Sequence, residues 1–428
     1  MELSIIKQKG PTFLEMKIIP YKVEAPKLIQ GEKVCNLSQL IYQQRLQRYI
    51  QIVKQKCASL YPELQEHAFR VASPSQSSPN DQSEEDMQLL IGVLVAKYPK
   101  RQTAVQKFAG LLPVEFQGGE TLDLSAPVFY LKCEHVVVEL IECPLSIQPG
   151  VVVGVRGYKT ATEKFKVVSL VFPFEYEFQE VSLDQLSLLE NNTKINSTQS
   201  NLQPTFIFQN QLTDLQFEAL MSIPTKRIPM LLNAPFQEDI QKDFEFSPTG
   251  SFLKNLYDFK KVDQQVSQLS NKFQIVLGSN LQSCVGKSFP LQPIPLQIFE
   301  LMTLQEVQSV GNPVRFEIGS PVYTSTKVVQ VVDGWFCQFY QESEVVEQIL
   351  RSGLLMSQIG GLIDIYNVNE EFNQLDCDFL VIMSQKTETK SFSAVWGEKK
   401  LKIVFLGKEK GIAVREDGKV VLLILLRE

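Results

Sequence analysis

Histidine is almost missing. The 428 residues contain two, His67 and His135, and no H-x-H pair. That excludes hydrolytic centres that hold two metals about 4 Å apart with several imidazoles. Both histidines read as surface residues, His67 beyond a first helix and His135 in a turn. The seven cysteines stand singly with no C-x-x-C, so neither a thiolate zinc site nor a disulfide framework is indicated. Basic charge is also short. The net charge is -6 and the pI about 5.4, which disfavours a protein that grips phosphate backbones unaided. No apolar run reaches membrane-spanning length, and the start, MELSIIKQKG, lacks a signal-peptide core, so an intracellular protein is expected. There is no G-x-S-x-G elbow and no G-x-x-x-x-G-K-[ST] loop. Cys284 lies near Gly286 and Lys287 but has no histidine downstream to act as a base, and reads as buried or incidental.

What is present is core-forming material: 44% apolar residues, 21% charged, in a chain long enough for two or three domains. Glutamine is over-used, as at Gln43-Gln44 and Gln264-Gln265. The densest apolar text lies near the C-terminal end, in runs at 379–383, 402–405, 412–414 and 420–426 separated by charged or glycine-bearing turns. The last run is apolar at almost every position, which predicts a central strand covered on both faces. Asp376 and Asp378, flanking Cys377 at the start of the first run, read as a solvated turn.

From the other end, residues 1–35 carry short apolar patches between prolines and glycines and read as an extended arm. Asn36, with Gln39 in the capping-box position, opens a helix. Leu40, Ile41, Leu46, Tyr49, Ile50, Val53, Cys57 and Leu60 form its apolar face, and Tyr61-Pro62 ends it. The polar stretch 73–85 is a linker. Strands are expected at 89–95, 122–124, 127–133, 136–141, 151–155 and 164–171, with a hairpin at 156–163, a pattern that suggests a small closed barrel. A short helical piece and a second polar linker occupy 181–202, where Asn196-Ser197-Thr198 fits the glycosylation pattern in a chain without a secretion signal.

Beyond that, strands at 205–208, 228–232, 273–277, 314–318, 328–332 and 362–366 alternate with helices at 215–221, 252–269 and 344–350. This predicts an α/β sheet merged with a largely antiparallel end, with a fixed proline-rich loop at 290–295. The expected division is arm and helix 1–72, linker 73–86, barrel 87–180, linker 181–204 and α/β domain 205–428.

Several short texts occur in a fixed order. Tyr42-Gln43-Gln44-Arg45-Leu46 lies in the helix, Leu90-Ile91-Gly92-Val93-Leu94 opens the barrel, and Pro149-Gly150-Val151-Val152-Val153-Gly154-Val155 follows. Later come Pro290-Leu291-Gln292-Pro293-Ile294-Pro295, the ten residues Leu304 to Pro313 ending in Asn312-Pro313, and Ile318-Gly319-Ser320-Pro321-Val322-Tyr323. From about residue 20 onward this order resembles the B-subunit family of the replicative DNA polymerases alpha, delta and epsilon, with the delta branch nearest. The family's second glycine after the asparagine-proline is not kept, and its P-T-A-P-D segment is replaced by 352–361.

The resemblance implies an α/β plus all-β fold: an oligonucleotide-binding-type barrel joined to an inactivated calcineurin-like phosphoesterase domain. Active relatives place D-x-H, G-D or G-N, and G-H-x-H at strand ends. Here the corresponding ends read Phe208-Gln209-Asn210, Leu232-Asn233-Ala234-Pro235 and Leu277-Gly278-Ser279-Asn280. No catalytic residue, metal ligand or cofactor is therefore expected.

The resemblance further implies a nuclear, non-catalytic accessory subunit of polymerase delta. Its partners would be the cysteine-rich C-terminal module of the catalytic subunit and a third accessory subunit, with DNA met mostly through the complex and no membrane. The short arm favours delta. A B-subunit of polymerase alpha or epsilon, a divergent paralogue, and a direct single-stranded-DNA-binding protein stay open. Tyr158, Trp335, Phe336, Phe339, Tyr340 and Trp396 are candidate interface aromatics, with burial in their own domain as the equal alternative for Trp335 and Phe339.

Overall fold

A computed structural model describes residues 15–19, 37–64, 87–97, 100–101, 121–122, 127–134, 136–144, 149–186, 204–223, 228–234, 251–278, 288–289, 307–319, 326–334, 340–356, 364–365, 370–415 and 419–423. In chain order the elements are β1 (Glu15–Ile19), α1 (Leu37–Leu60), β2 (Gln88–Lys97), β3 (Val128–Lys132), β4 (Val137–Ile141), β5 (Val152–Lys159), β6 (Phe165–Val171) and β7 (Tyr176–Val181). Next come β8 (Pro204–Gln211), α2 (Asp214–Ser222), β9 (Ile228–Ala234), α3 (Ser251–Ser270), β10 (Phe273–Gly278), β11 (Gln308–Val310), β12 (Val314–Gly319) and β13 (Lys327–Asp333). The chain closes with α4 (Glu342–Ser352), β14 (Phe379–Met383), β15 (Lys390–Trp396), β16 (Lys399–Leu406), β17 (Gly411–Arg415) and β18 (Val420–Leu422). Two compact units result: Pro26–Glu175 with Gln348–Val368, and Met1–Ala25 with Tyr176–Glu347 and Asn369–Glu428.

In the first unit, β2-β3-β4-β6-β5 close into a barrel. Alternation of side chains along each strand sends one set inward and the other out. Leu94, Phe129, Leu131, Leu140, Val153, Val155 and Phe165 fill one cluster. Leu89, Ile91, Val93 and Val152 belong to a second, where they meet Tyr42, Leu46, Tyr49, Val53 and Cys57 of α1. The helix sits close because of Gly154 on β5. A Cβ there would fall 2.6 Å from Cys57 Sγ and 3.2 Å from Val53 Cγ1. Arg45, with no exposed surface, donates from an Nη to Gly150 O at 2.7 Å, fixing α1 to the turn that enters β5. The hairpin expected at 156–163 is tighter than that. Strand β5 runs on to Lys159, and the turn is held by Thr160 N and Oγ1, both donating to Lys164 O at 2.8 and 2.9 Å.

The second unit is built on two sheets, β1-β12-β13-β14-β16-β15-β7 and β11-β10-β9-β8-β17-β18. Phe206, Phe208, Leu231 and Val276 of the six-stranded sheet share one cluster with Phe316, Val329, Val331, Phe379, Val381, Met383, Val404 and Leu406 of the seven-stranded sheet. A fully buried phenylalanine of this kind contributes about 2–3 kcal/mol relative to exposure. On its other face the six-stranded sheet carries Ile207, Met230, Leu232, Ile275 and Leu277, covered by Leu220 of α2 and Val262, Val266 and Leu269 of α3. Strands 8 to 11 are parallel, as are β13, β14 and β16.

The closing strands are largely antiparallel: β14 and β16 continue the parallel set, while β15, β17 and β18 each pair antiparallel with their neighbours. The final apolar run does not supply a central strand. It gives β18, three residues at a sheet edge with Val421 and Leu422 half-buried, whereas β14 is buried at every position. An apolar run marks burial but cannot say whether a core lies on both faces or on one. Trp396 ends β15, and residues 176–180, expected in the barrel, belong to β7 at the edge of the seven-stranded sheet. The arm's described part, Glu15–Ile19, pairs antiparallel with β12.

Candidate functional site

In a parallel α/β sheet, ligands are met at the carboxyl ends of the strands. Here those ends converge on a layer of neutral amides. Asn210 follows Phe208 on β8, and Asn233 follows Leu231 on β9, so both project to the same side as the inter-sheet core. Asn312 stands just before β12, and Asp333 ends β13. All are buried, at 1–4% exposure.

The bonding in this layer is structural. Asn210 Nδ2 donates to Ser384 O, Leu406 O and Gly407 O at 2.8, 3.0 and 3.3 Å, joining the first strand of one sheet to the ends of β14 and β16 in the other. Asn312 Nδ2 donates to Asn233 Oδ1 at 3.4 Å, and Asn312 Oδ1 accepts from Asp333 N at 2.9 Å. Gly278 on β10 keeps this corner open, since a Cβ there would lie 3.3 Å from Asn233 Oδ1. Asn233 Nδ2 and Gln211 Oε1 have no partner among the described residues. The Asn312-Pro313 bond is cis.

Two divalent ions need several anionic or imidazole ligands, and this layer offers one carboxylate, Asp333. Among the described residues no group of three or more His, Cys, Asp or Glu is placed to hold a metal ion. An amide nitrogen turned toward three carbonyls presents a donor where a cation would need an acceptor. Among the described residues, this arrangement pins two sheets together.

The remaining candidates are placed as follows. Tyr158 lies within β5, half-buried, with Lys166 Nζ 5.9 Å from its ring centre. Trp396 is half-buried at the end of β15, level with Tyr176 of β7. Tyr340 is half-buried, its carbonyl accepts from Lys386 Nζ at 2.7 Å, and burial, then Glu344, raise its phenol pKa. His67, His135, Cys284, Trp335, Phe336, Phe339, the loop 290–295 and the linkers 73–86 and 187–203 lie outside the described residues.

Asp376 and Asp378 keep 48% and 40% of their side chains exposed and are also paired. Arg315 and Lys399 bond the two oxygens of Asp376 at 2.8 and 2.9 Å, while Asp378 accepts from Val328 N at 2.8 Å. Burial pushes the Asp376 pKa up, but the Lys399 hydrogen bond and the Arg315 charge outweigh it, and the net shift is downward. Gln330 ties the same segment down, donating to Gln374 O and accepting from Asp376 N. The four described thiols, Cys57, Cys133, Cys143 and Cys377, are all raised by burial, the first three to about 11, 11 and 12, so none is a ready thiolate at neutral pH.

The sequence passed over Asp333 and the bonding roles of Asn312 and Asn210. The usable signal was polar residues directly following runs of buried strand text, as in Phe208-Gln209-Asn210 and Val331-Val332-Asp333. The chain matches no protein-family model, and it matches no curated protein.

Proposed function

We propose that this protein is a non-catalytic accessory subunit of a replicative DNA polymerase of the delta type. It would scaffold the cysteine-rich module of the catalytic chain and a further accessory subunit in the nucleus. Under this reading the barrel is of the oligonucleotide-binding type and the two-sheet unit is a phosphoesterase-like domain that has lost its metals. The observation that carries it is the amide layer. The carboxyl ends of β8 and β9, where the chemistry of such a domain would sit, carry Asn210, which donates to three carbonyls, and Asn233, which accepts from Asn312. A domain with an intact core and a closed site is retained for its surface.

The barrel's outer charges support the same reading over direct grip of single strands. Lys164 and Lys166 are paired with Glu139 and Glu142, and so present no basic track. Affinity purification of the tagged protein from its own cell extract, with mass identification of what accompanies it, tests the proposal. A family-B catalytic chain is the expected companion, and its identity separates delta from alpha and epsilon. Recovery of no polymerase chain, with tight binding of single-stranded DNA by the pure protein, overturns the proposal.

A further inference from the structure

The two large sheets end in four edge strands, and three are blunted. Strands β11 and β18 have three residues each, and β1 carries the exposed Lys17. Short edges and lysines are the usual defences against added strands. Strand β7 has neither. It runs six residues, YEFQEV, without lysine, proline or glycine, and pairs in unbroken register with β15 from Tyr176↔Trp396 to Val181↔Ser391. Its other edge pairs with no described strand.

The side chains along β7 divide by face. Tyr176 and Phe178 are half-buried on one, rings stacked at 6.3 Å, and Phe178 meets Phe392 edge-on at 6.1 Å. Tyr176 is fixed by donating its hydroxyl to Glu347 at 2.9 Å. These rings form an apolar row on one face of β7, held by Phe392 of β15 and Glu347 of α4. Glu177, Gln179 and Glu180 are exposed.

We propose that the free edge of β7 docks an extended strand of another protein, apolar on the face it shares with Tyr176 and Phe178 and lysine- or arginine-bearing on the opposite face, beside Glu177 and Gln179. Main-chain bonds would supply affinity, and alternate side chains the selection. The glutamates favour this occupant over a second copy of the chain, because β7 paired with β7 would set like charges side by side. The inference holds whether or not the partner is a polymerase chain.

The test uses the full chain and two capped octapeptides, one alternating lysine and valine, the other glutamate and valine. The amide hydrogen exchange of 176–181 is followed by mass spectrometry. The lysine peptide is expected to slow exchange there and to bind about fivefold or more tightly than the glutamate peptide. The exposed-site variant E177K, unchanged in melting temperature, should reverse that preference. Unaltered exchange with the lysine peptide overturns the proposal, as does equal protection by both peptides. Self-association that protects 176–181 without peptide overturns it in favour of a second copy.

Discussion

Asn210→Asp separates a latch from a lost ligand most sharply. The replacement is nearly isosteric, so packing is retained, but an oxygen takes the place of the nitrogen that donates to three carbonyls at 2.8, 3.0 and 3.3 Å. A buried acceptor left without its donor costs about 1–3 kcal/mol. Counting only the two shorter bonds, the loss is about 2–6 kcal/mol. The site is 2% exposed, so the new carboxylate sheds its charge by holding a proton, which then serves one carbonyl. Its folded pKa is thus raised above the unfolded value of about 3.9. The folded variant binds the extra proton in the window between those two values. Its stability is therefore fullest at about pH 4 and falls as pH rises through the folded pKa. Urea unfolding of wild type and Asn210→Asp at about pH 4.5 and pH 7.5 reads this directly. The stability gap should be several kcal/mol at the higher pH and clearly smaller at the lower. A gap under about 1 kcal/mol at neutral pH, or one independent of pH, would refute the latch.

Other substitutions probe the remaining supports. Gly154→Val should cost about 1–3 kcal/mol through overpacking against Cys57 and Val53, and Cys57→Ala should recover part of it, as a double-mutant cycle by chemical denaturation would show. Arg45→Met should lose about 2–4 kcal/mol in the same assay, from the unmet Gly150 carbonyl and the lost bond; Arg45→Lys should rescue little, since a single ammonium cannot reproduce the guanidinium fork. Asp376 has a depressed folded pKa, so its contribution is present above its unfolded value and lost as pH falls through the folded one. Asp376→Asn should therefore be less stable near pH 7 and show a shallower acid limb in melts taken across falling pH. Glu163→Asn should raise the melting temperature slightly, because Glu163 holds φ 63° in the hairpin turn, a region asparagine tolerates better.

Periodicity located elements well where one physical cause dominates. The α1 face was legible because Ile41, Val53 and Cys57 recur at helical spacing, and all three are buried. The barrel strands were legible from short alternating runs, five of which close on themselves. What failed was neighbourhood. Val420–Leu422 reads like β14, yet one lies at an edge and the other in the middle of its sheet, and only the sheet order separates them. Strand β15, KSFSAVW, was missed although Phe392, Ala394 and Trp396 alternate on one face, because the serines and lysine between and beside them dilute the apolar text. At the candidate site the sequence exposed the missing histidines and the asparagine-ending strands. It could not tell that Asn210 reaches across to Ser384 and Leu406, because those contacts span more than 170 residues.

The central claim is that the chain works as a stoichiometric scaffold. Its most direct test is native mass measurement of the complex isolated through this protein after nuclease treatment and a high-salt wash. One copy of a family-B catalytic chain per copy of this protein, retained under both conditions, is the predicted result. The protein recovered alone, or joined to a polymerase only while DNA is present, would contradict it.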